Sequence, residues 1–93
     1  MTENYFTAIE DHFSKRRGTL YIMSPRDFGL VEAWKNAGIP LTAVLRGIDS
    51  VFSRFHSGAW RPERINSIRY CEQAILAECQ RIKQLEVGVW RPE

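Results

Sequence analysis

The sequence predicts an all-α fold, a compact four-helix bundle with a helix-turn-helix-like αα corner at residues 24–56 and a short extended segment at 19–23. Apolar residues recur at helical spacing in four stretches of the chain, and Gly or Pro residues separate these stretches. A chain of 93 residues can bury one core without disulfides or metals. We therefore expect a single helical domain over residues 1–93, with residues 87–93 as a possible C-terminal tail.

The first helix is predicted to begin after Thr2, whose side chain can cap it. The basic run at residues 15–17 falls in its last turn, where the helix dipole favours cations, and Gly18 can end the helix. Apolar residues lie at spacings that place them on one face: Phe6, Ile9 and Phe13.

The segment Thr19 to Met23 contains β-branched and apolar residues without helical spacing, so we expect it to be extended and to lie over the core. A lone extended segment leaves backbone groups unpaired. Its partner is either residues 86–90 of the same chain or the same segment of a second subunit.

Ser24 and Pro25 predict the start of a second helix, because Ser is a favoured N-cap and Pro is favoured at the first helical position. Gly38 predicts its end, since Gly adopts the left-handed conformation at low cost. Gly29 falls on the outer surface, where either the helix tolerates it or another group approaches the backbone closely. The predicted inner face carries Asp27, Leu30, Val31 and Trp34.

Pro40 opens a third helix after a very short connection at residues 38–40. The second and third helices must therefore turn sharply against each other, as in a helix-turn-helix. One continuous apolar stripe follows the third helix: Leu41, Val44, Leu45, Ile48, Val51, Phe52 and Phe55.

The fourth helix is predicted to begin within residues 62–66 and to run to about Glu86. Glu72 interrupts its apolar face, and an unpaired buried carboxylate is costly. We therefore expect Glu72 to contact a basic partner such as Arg69 or Arg46, or to lie at a rim. The apolar stripe consists of Ile65, Ile68, Ile75, Cys79 and Ile82.

Positive charge is concentrated in residues 54–69, which contain four arginines against one glutamate, although the net charge of the chain is only +2. Such asymmetry indicates an anionic partner, unless the arginines form a merely solvated face. The Trp60 ring could stack on a base or close the end of the bundle. The candidate nucleic-acid-binding residues are Arg54, Trp60, Arg61, Arg64 and Arg69.

Two aromatic residues are candidates for contact with a protein partner. Tyr70 lies on the polar face of the predicted fourth helix. Trp90 belongs to GVWRPE at residues 88–93, which repeats GAWRPE at residues 58–63. The second copy is either a tail that docks into a groove or a chance repetition.

Catalysis is not expected, because the sequence lacks a Gly-rich loop before a helix, a nucleophile elbow and a paired-histidine zinc motif. A Cys/His metal site would require both cysteines and both histidines to converge. We expect Cys71 and Cys79 to be reduced packing residues and expect no metal or cofactor. No apolar run reaches membrane-spanning length and the N-terminus does not resemble a signal peptide, so we expect a cytoplasmic location without membrane association.

Residues 24–76 carry a resemblance to known proteins. The run SPRDFGLVEAWKNAGIPLTAVLRGIDSVF, followed by INSIRYCEQAIL, resembles short uncharacterised bacterial proteins of the type SPxD(W/F)xL(I/V)ExWxxxGIPLxxVLRGID. More distantly, an acid-Ala-Trp helix end, a Gly turn, an apolar helix and then Asn66 with Tyr70 are similar to the DnaD-like domain of replication-initiation proteins. That resemblance implies a helical fold that binds single-stranded or duplex DNA and partner replication proteins.

Together these patterns predict a small non-catalytic module, DNA-associated or replication-associated, that binds nucleic acid through its basic loop. The alternative is a protein-interaction adaptor or a homodimer that uses Trp60, Tyr70 or Trp90. The salt dependence of binding distinguishes these two functions. Binding through several arginines weakens steeply with ionic strength, whereas apolar docking hardly responds.

Overall fold

A computed structural model describes the backbone of residues 4–54 and 64–90 and the side chains of residues 4–54 and 64–85. All regular secondary structure among the described residues is helical, without a β-strand, which confirms the all-α prediction. Its elements are α1 (Tyr5–Arg17), α2 (Pro25–Asn36), α3 (Leu41–Ser53), a 3₁₀ turn (Ile68–Cys71) and α4 (Glu72–Trp90).

Helix α1 begins two residues later than the sequence predicts. Its cap is Asn4, whose Oδ1 accepts a 2.7 Å hydrogen bond from the Phe6 amide, whereas Thr2 lies outside the described residues. Asn ranks above Thr as an N-cap, which agrees with the observed start. The predicted end is confirmed, because Gly18 has φ 86° and its N–H donates to the carbonyl of Ser14.

Helix α2 starts and ends as predicted. Ser24 is extended and its Oγ accepts a 3.2 Å hydrogen bond from the Asp27 amide, while Pro25 occupies the first helical position. At the other end Gly38 has φ 82°, and the next amide, of Ile39, donates to the Trp34 carbonyl at 3.0 Å. The first of these bonds satisfies an amide at the helix start, and the second satisfies a carbonyl group that the helix end would otherwise leave unpaired.

Helix α3 lies at the centre of the molecule, with α1 packed on one side and α4 on the other. The predicted stripe faces this interior, and Val44, Ile48 and Phe52 are almost completely buried. Phe55 lies outside the described residues. Gly47 permits the close approach of α4, because a Cβ at this position would lie 2.5 Å from Cγ1 and 2.6 Å from Cα of Ile75.

The fourth helix differs from the prediction at both ends. The chain enters it through Ile65 and Ile68, which are buried, and the 3₁₀ turn precedes the first α-helical residue, Glu72. The turn forms because Ser67 is extended and its Oγ accepts a hydrogen bond from the Arg69 amide at 3.2 Å, which is a capping interaction. Helix α4 continues past the predicted end to Trp90.

The segment 19–23 is fastened to α1 rather than to a strand. Ser14 Oγ accepts a 2.9 Å hydrogen bond from the Tyr21 amide, and the carboxylate of Glu10 accepts one of 2.8 Å from the Met23 amide. Because residues 86–90 are helical, they do not provide the strand that was one of the two expected partners. None of the described helices combines the length and the apolar character that a membrane crossing requires.

Candidate nucleic-acid interface

The structure brings two of the predicted site residues to one groove. Arg69 and Tyr70 are adjacent on the 3₁₀ turn, and the Tyr70 side chain is 64% exposed. Arg54 caps α3 and is exposed, as is Arg64, but neither belongs to the groove lining. Trp60 and Arg61 lie outside the described residues, as does the side chain of Trp90.

This groove, which we call the arginine groove, has a volume of about 600 Å³ and lies between the start of α2 and the 3₁₀ turn. Arg26 enters it from α2 and Arg69 from the turn. Neither guanidinium group has a hydrogen-bond or ion-pair partner among the described residues. Among the described residues its lining is Ser24, Arg26, Asp27, Asn66, Ser67, Arg69, Tyr70 and Glu72.

A second hollow of about 400 Å³ extends the arginine groove along the outer face of α2. The two share Arg26, Arg69 and Glu72, and the extension adds Gly29, Leu30 and Ala33. A Cβ at Gly29 would meet no atom within 4 Å. Within the described chain, therefore, nothing approaches the Gly29 backbone closely and the helix simply tolerates the residue.

The floor of the arginine groove is a buried carboxylate. Asp27 is 3% exposed and accepts hydrogen bonds from the Tyr21 hydroxyl at 2.6 Å, the Ser67 hydroxyl at 2.9 Å and the Ile68 amide at 3.3 Å. We call these four residues the Asp27 cluster. A buried carboxylate is tolerated where such donors replace its hydration. The cluster therefore joins the 19–23 segment, α2 and the 3₁₀ turn.

The cluster holds the Tyr21 phenol in its neutral form. Burial raises the pKa of Tyr21 well above its usual range, and the hydrogen bond to Asp27 raises it further, because the ionised phenolate could not donate to the carboxylate. The ring of Tyr21 also packs on Phe13, with centroids 4.4 Å apart. Tyr21 thus fixes the 19–23 segment both to the core and to the groove floor.

The same cluster determines where Arg69 and Tyr70 stand. Ser67 donates to Asp27 and accepts from the Arg69 amide, and the Ile68 amide is also bound to Asp27. The residues immediately before Arg69 are therefore held by three hydrogen bonds and by the complete burial of Ile68. The 3₁₀ turn is thereby anchored to α2, and it carries the two exposed side chains.

Glu72, the first residue of α4, was expected either to contact a basic partner or to lie at a rim, and it lies at a rim. It lies half-buried in the lining of both hollows, at the rim of the helix packing. No ion pair or hydrogen bond joins its carboxylate to another described residue, and Arg46 is not part of either lining. The carboxylate is therefore available to a ligand.

A model of a protein family described as "Uncharacterised protein" matches residues 4–89. The chain belongs to this family. No curated protein and no solved structure matches the chain. The match agrees with the expected relation to uncharacterised proteins, and it contains every residue of the arginine groove and of the Asp27 cluster.

Sequence reasoning missed Arg26 and Asn66 as groove residues. Arg26 follows a helix cap, where an arginine is typical of a solvated surface. It is too distant in sequence from Arg69 for a local pattern to show that the two are close in space. The position of Asp27 was informative, because an acid on the same helical face as Val31 and Trp34 must either accept hydrogen bonds from nearby donors or be exposed. The pattern placed it on the inner face without naming its donors.

A second polar cluster lies between α1 and α3, away from the groove. His12 Nε2 is 2.7 Å from Oδ1 of Asp49, and Arg16 Nε is 3.6 Å from the same oxygen. Arg16 also reaches the Ser53 hydroxyl at 3.3 Å. These groups satisfy one another across the helix interface. Within the described residues, no group of three His, Cys, Asp or Glu side chains is placed to hold a metal ion.

Proposed function

We propose that this protein is a small non-catalytic module that binds DNA through the arginine groove. The observation that carries the proposal is the placement of two guanidinium groups without a partner among the described residues, Arg26 and Arg69, beside the exposed ring of Tyr70. Guanidinium groups match phosphate oxygens in geometry and charge, and an exposed aromatic ring provides a face on which a base can stack.

Charge outside the groove supports the same function. Arg54 and Arg64 are exposed, and Arg61 belongs to the same basic stretch of sequence. Charges at this range attract a polyanion and raise its rate of association. The more distant similarity to the DnaD-like domain, in the acid-Ala-Trp helix end, the Gly turn, the apolar helix and Asn66 with Tyr70, suggests a replication-associated role, in which the module assists other DNA-binding proteins.

The proposal is tested by fluorescence anisotropy of labelled single-stranded and duplex DNA at two salt concentrations. If the protein contacts about three phosphates, affinity should fall at least tenfold between about 50 and 200 mM salt. The double variant Arg26→Ala, Arg69→Ala should lose most of the binding. Arg46→Ala is the matched control, because Arg46 is exposed on α3 and lies outside the groove.

Loss of binding that is equal in the Arg46 control would contradict the groove assignment. Binding of wild-type protein to neither form of DNA would contradict the proposed function as a whole. The double variant Arg61→Ala, Arg64→Ala measures how much of the affinity for DNA depends on the basic stretch at residues 54–69. If this variant keeps its full affinity, these two arginines do not belong to the binding site.

Self-association is a second candidate function, and the segment 19–23 favours it. Leu20 and Ile22 are 76% and 70% exposed on either side of the buried Tyr21. The Ile22 backbone has no hydrogen-bond partner among the described residues, which leaves one edge of the segment open to the same segment of a second subunit. Light scattering should then report a dimer that Leu20→Ser, Ile22→Ser dissociates. A monomeric wild-type protein would contradict this candidate.

Deletion of residues 88–93 tests whether Trp90 contributes to association, as the repeated hexapeptide suggested. If Trp90 docks on a second subunit, the truncated protein should become monomeric at concentrations where the full chain is dimeric. An unchanged mass would exclude this part of the chain from the interface. The same truncation should leave DNA binding unaltered, because the described residues of the groove lie upstream.

A further inference from the structure

We infer that the arginine groove binds single-stranded DNA in preference to duplex DNA, and that the Tyr70 ring is the group that distinguishes the two forms. This inference rests on the proposed function, which leaves the form of DNA open. It concerns the stacking contribution of one side chain, whereas the phosphate contacts of the arginines are common to both forms.

The first step is that the fold does not use the Tyr70 ring. Tyr70 is 64% exposed, more than any other aromatic residue among the described side chains. The other two tyrosines donate their hydroxyl groups to the chain, Tyr5 to the Ile39 carbonyl and Tyr21 to Asp27. No ring contact joins Tyr70 to another aromatic or cationic side chain among the described residues. The ring is therefore available to a ligand.

The second step is that the backbone carrying this ring is held in place. Ile68 and Cys71, which flank Tyr70 within the 3₁₀ turn, are completely buried. The Ile68 amide donates to Asp27, and the Tyr70 amide donates to the Ser67 carbonyl at 3.2 Å. Little of the backbone must then become ordered when a base docks, which lowers the entropic cost of binding.

The third step compares what the two forms of DNA offer to such a ring. In a duplex each base is covered on both faces by its neighbours, so its release requires unpairing and unstacking. In a single strand an unpaired base can turn onto an aromatic side chain. One base–aromatic contact raises affinity about fivefold or more, and release of a base from a duplex costs at least as much. The Tyr70 ring therefore contributes to the binding of a single strand and not to that of a duplex.

The fourth step is that the charges of the groove do not reverse this preference. Arg26 and Arg69 can bind phosphates of either form, and the higher charge density of a duplex favours it electrostatically. This advantage is small, because two arginines line the groove among the described residues. Salt reduces it further, whereas stacking depends little on salt. The preference for a single strand should therefore be clearest near about 200 mM salt.

The test compares three DNAs by fluorescence anisotropy at about 200 mM salt: an oligo(dT) strand of about 12 nucleotides, an abasic strand of the same length, and relaxed circular duplex DNA as a competitor. The abasic strand has the same phosphates and no bases. The closed circle has neither terminal nor unpaired bases. We expect wild-type protein to bind oligo(dT) at least about fivefold more tightly than either of the others, with affinity expressed per nucleotide.

Tyr70→Ala is the decisive variant. It should lower the affinity for oligo(dT) at least about fivefold and leave the affinities for the abasic strand and the duplex unchanged. Tyr70→Phe should keep the preference, because the ring stacks without its hydroxyl group. Phe28→Ala is the matched control, since Phe28 is 45% exposed and lies outside the groove lining. Thermal unfolding monitored by circular dichroism shows whether each variant is folded.

Equal or tighter binding of the duplex by wild-type protein would overturn the inference and leave the proposed function standing. A preference for oligo(dT) that persists in Tyr70→Ala would also overturn it, since another group would then contact the base. Absence of binding to all three DNAs would overturn the proposed function together with the inference.

Discussion

The Tyr21 hydroxyl donates a 2.6 Å hydrogen bond to Oδ2 of Asp27, and both residues are almost completely buried. Six positions apart in sequence, they join the segment after α1 to the first turn of α2. The other oxygen of the same carboxylate accepts from Ser67, which is 40 positions further along the chain. A single carboxylate thereby connects three parts of the fold and supports the floor of the arginine groove.

Tyr21→Phe should lower the free energy of unfolding by about 1–3 kcal/mol, because a buried carboxylate loses a donor that water cannot replace. Urea denaturation at neutral pH measures the change. Tyr70→Phe is the matched control, since the Tyr70 ring is 64% exposed and should change stability by less than about 0.5 kcal/mol. Equal effects of the two variants would show that the Asp27 cluster does not stabilise the fold.

Ser67→Ala should weaken DNA binding while the protein stays folded. The Ser67 hydroxyl donates to Asp27 and accepts from the Arg69 amide, so its removal loosens the turn that carries Arg69 and Tyr70. We expect a stability loss of about 1 kcal/mol and an affinity loss of several fold. Denaturation and anisotropy are measured on the same sample. Unchanged affinity at the expected stability loss would show that the turn does not depend on this hydroxyl for its position.

Gly47→Ala should destabilise the protein by about 1–3 kcal/mol, because the added methyl group would overlap Ile75 where α3 and α4 are in contact. The atoms in the way include the Ile75 backbone, which cannot move without shifting α4. Gly29→Ala is the opposite case, since nothing lies within 4 Å of the added group. It should stabilise the protein by up to about 1 kcal/mol. Both are compared by urea denaturation, and the reverse order would contradict this helix packing.

Stability should fall as the pH rises above about 9. Burial raises the pKa of the Cys71 thiol from 9.0 to about 12, so the unfolded chain releases this proton at a lower pH than the folded chain. Stability from this group is fully present below the unfolded pKa and is lost as the pH rises toward the folded value, by about 1 kcal/mol between pH 9 and 10. Tyr5, whose pKa is raised to about 12 chiefly by burial, adds to the loss above pH 10.

Denaturation curves at a series of pH values check this dependence. Cys71→Ala should lower stability at neutral pH through the lost packing and should also flatten the slope between about pH 9 and 10. Cys79→Ala serves as the control, because Cys79 is only partly buried. A slope that is unchanged in Cys71→Ala would mean that other groups cause the alkaline loss.

Helix boundaries were predictable where a local signal controls them. Gly18 and Gly38 end their helices and Ser24 starts one, because a cap depends on a few neighbouring backbone groups. The start of the fourth helix was placed too early for the opposite reason. Asp27, which is distant in sequence, binds the Ile68 amide, and the chain makes a 3₁₀ turn before α4 begins.

The candidate site was only partly predictable. Arg69 and Tyr70 were both identified, but as parts of different sites, one for nucleic acid and one for a protein partner. Their common groove also includes Arg26, which is far from them in sequence. No sequence pattern indicates that Arg26 lies close to them in space. Gly47 likewise appeared in the sequence as an ordinary residue of α3, since its function is defined by the opposing Ile75.

The sequence by itself determined that the chain is helical, where α2 begins and ends, where α1 ends, and which faces are buried, because periodic apolar residues and caps act over one or two turns. Tertiary structure alone decided that Asp27 would bind Tyr21, Ser67 and Ile68 and that Arg26, Arg69 and Glu72 would share a groove. Such contacts depend on how α2 and the 3₁₀ turn are oriented around α3. That orientation arises from the packing of the whole core, which no local pattern encodes.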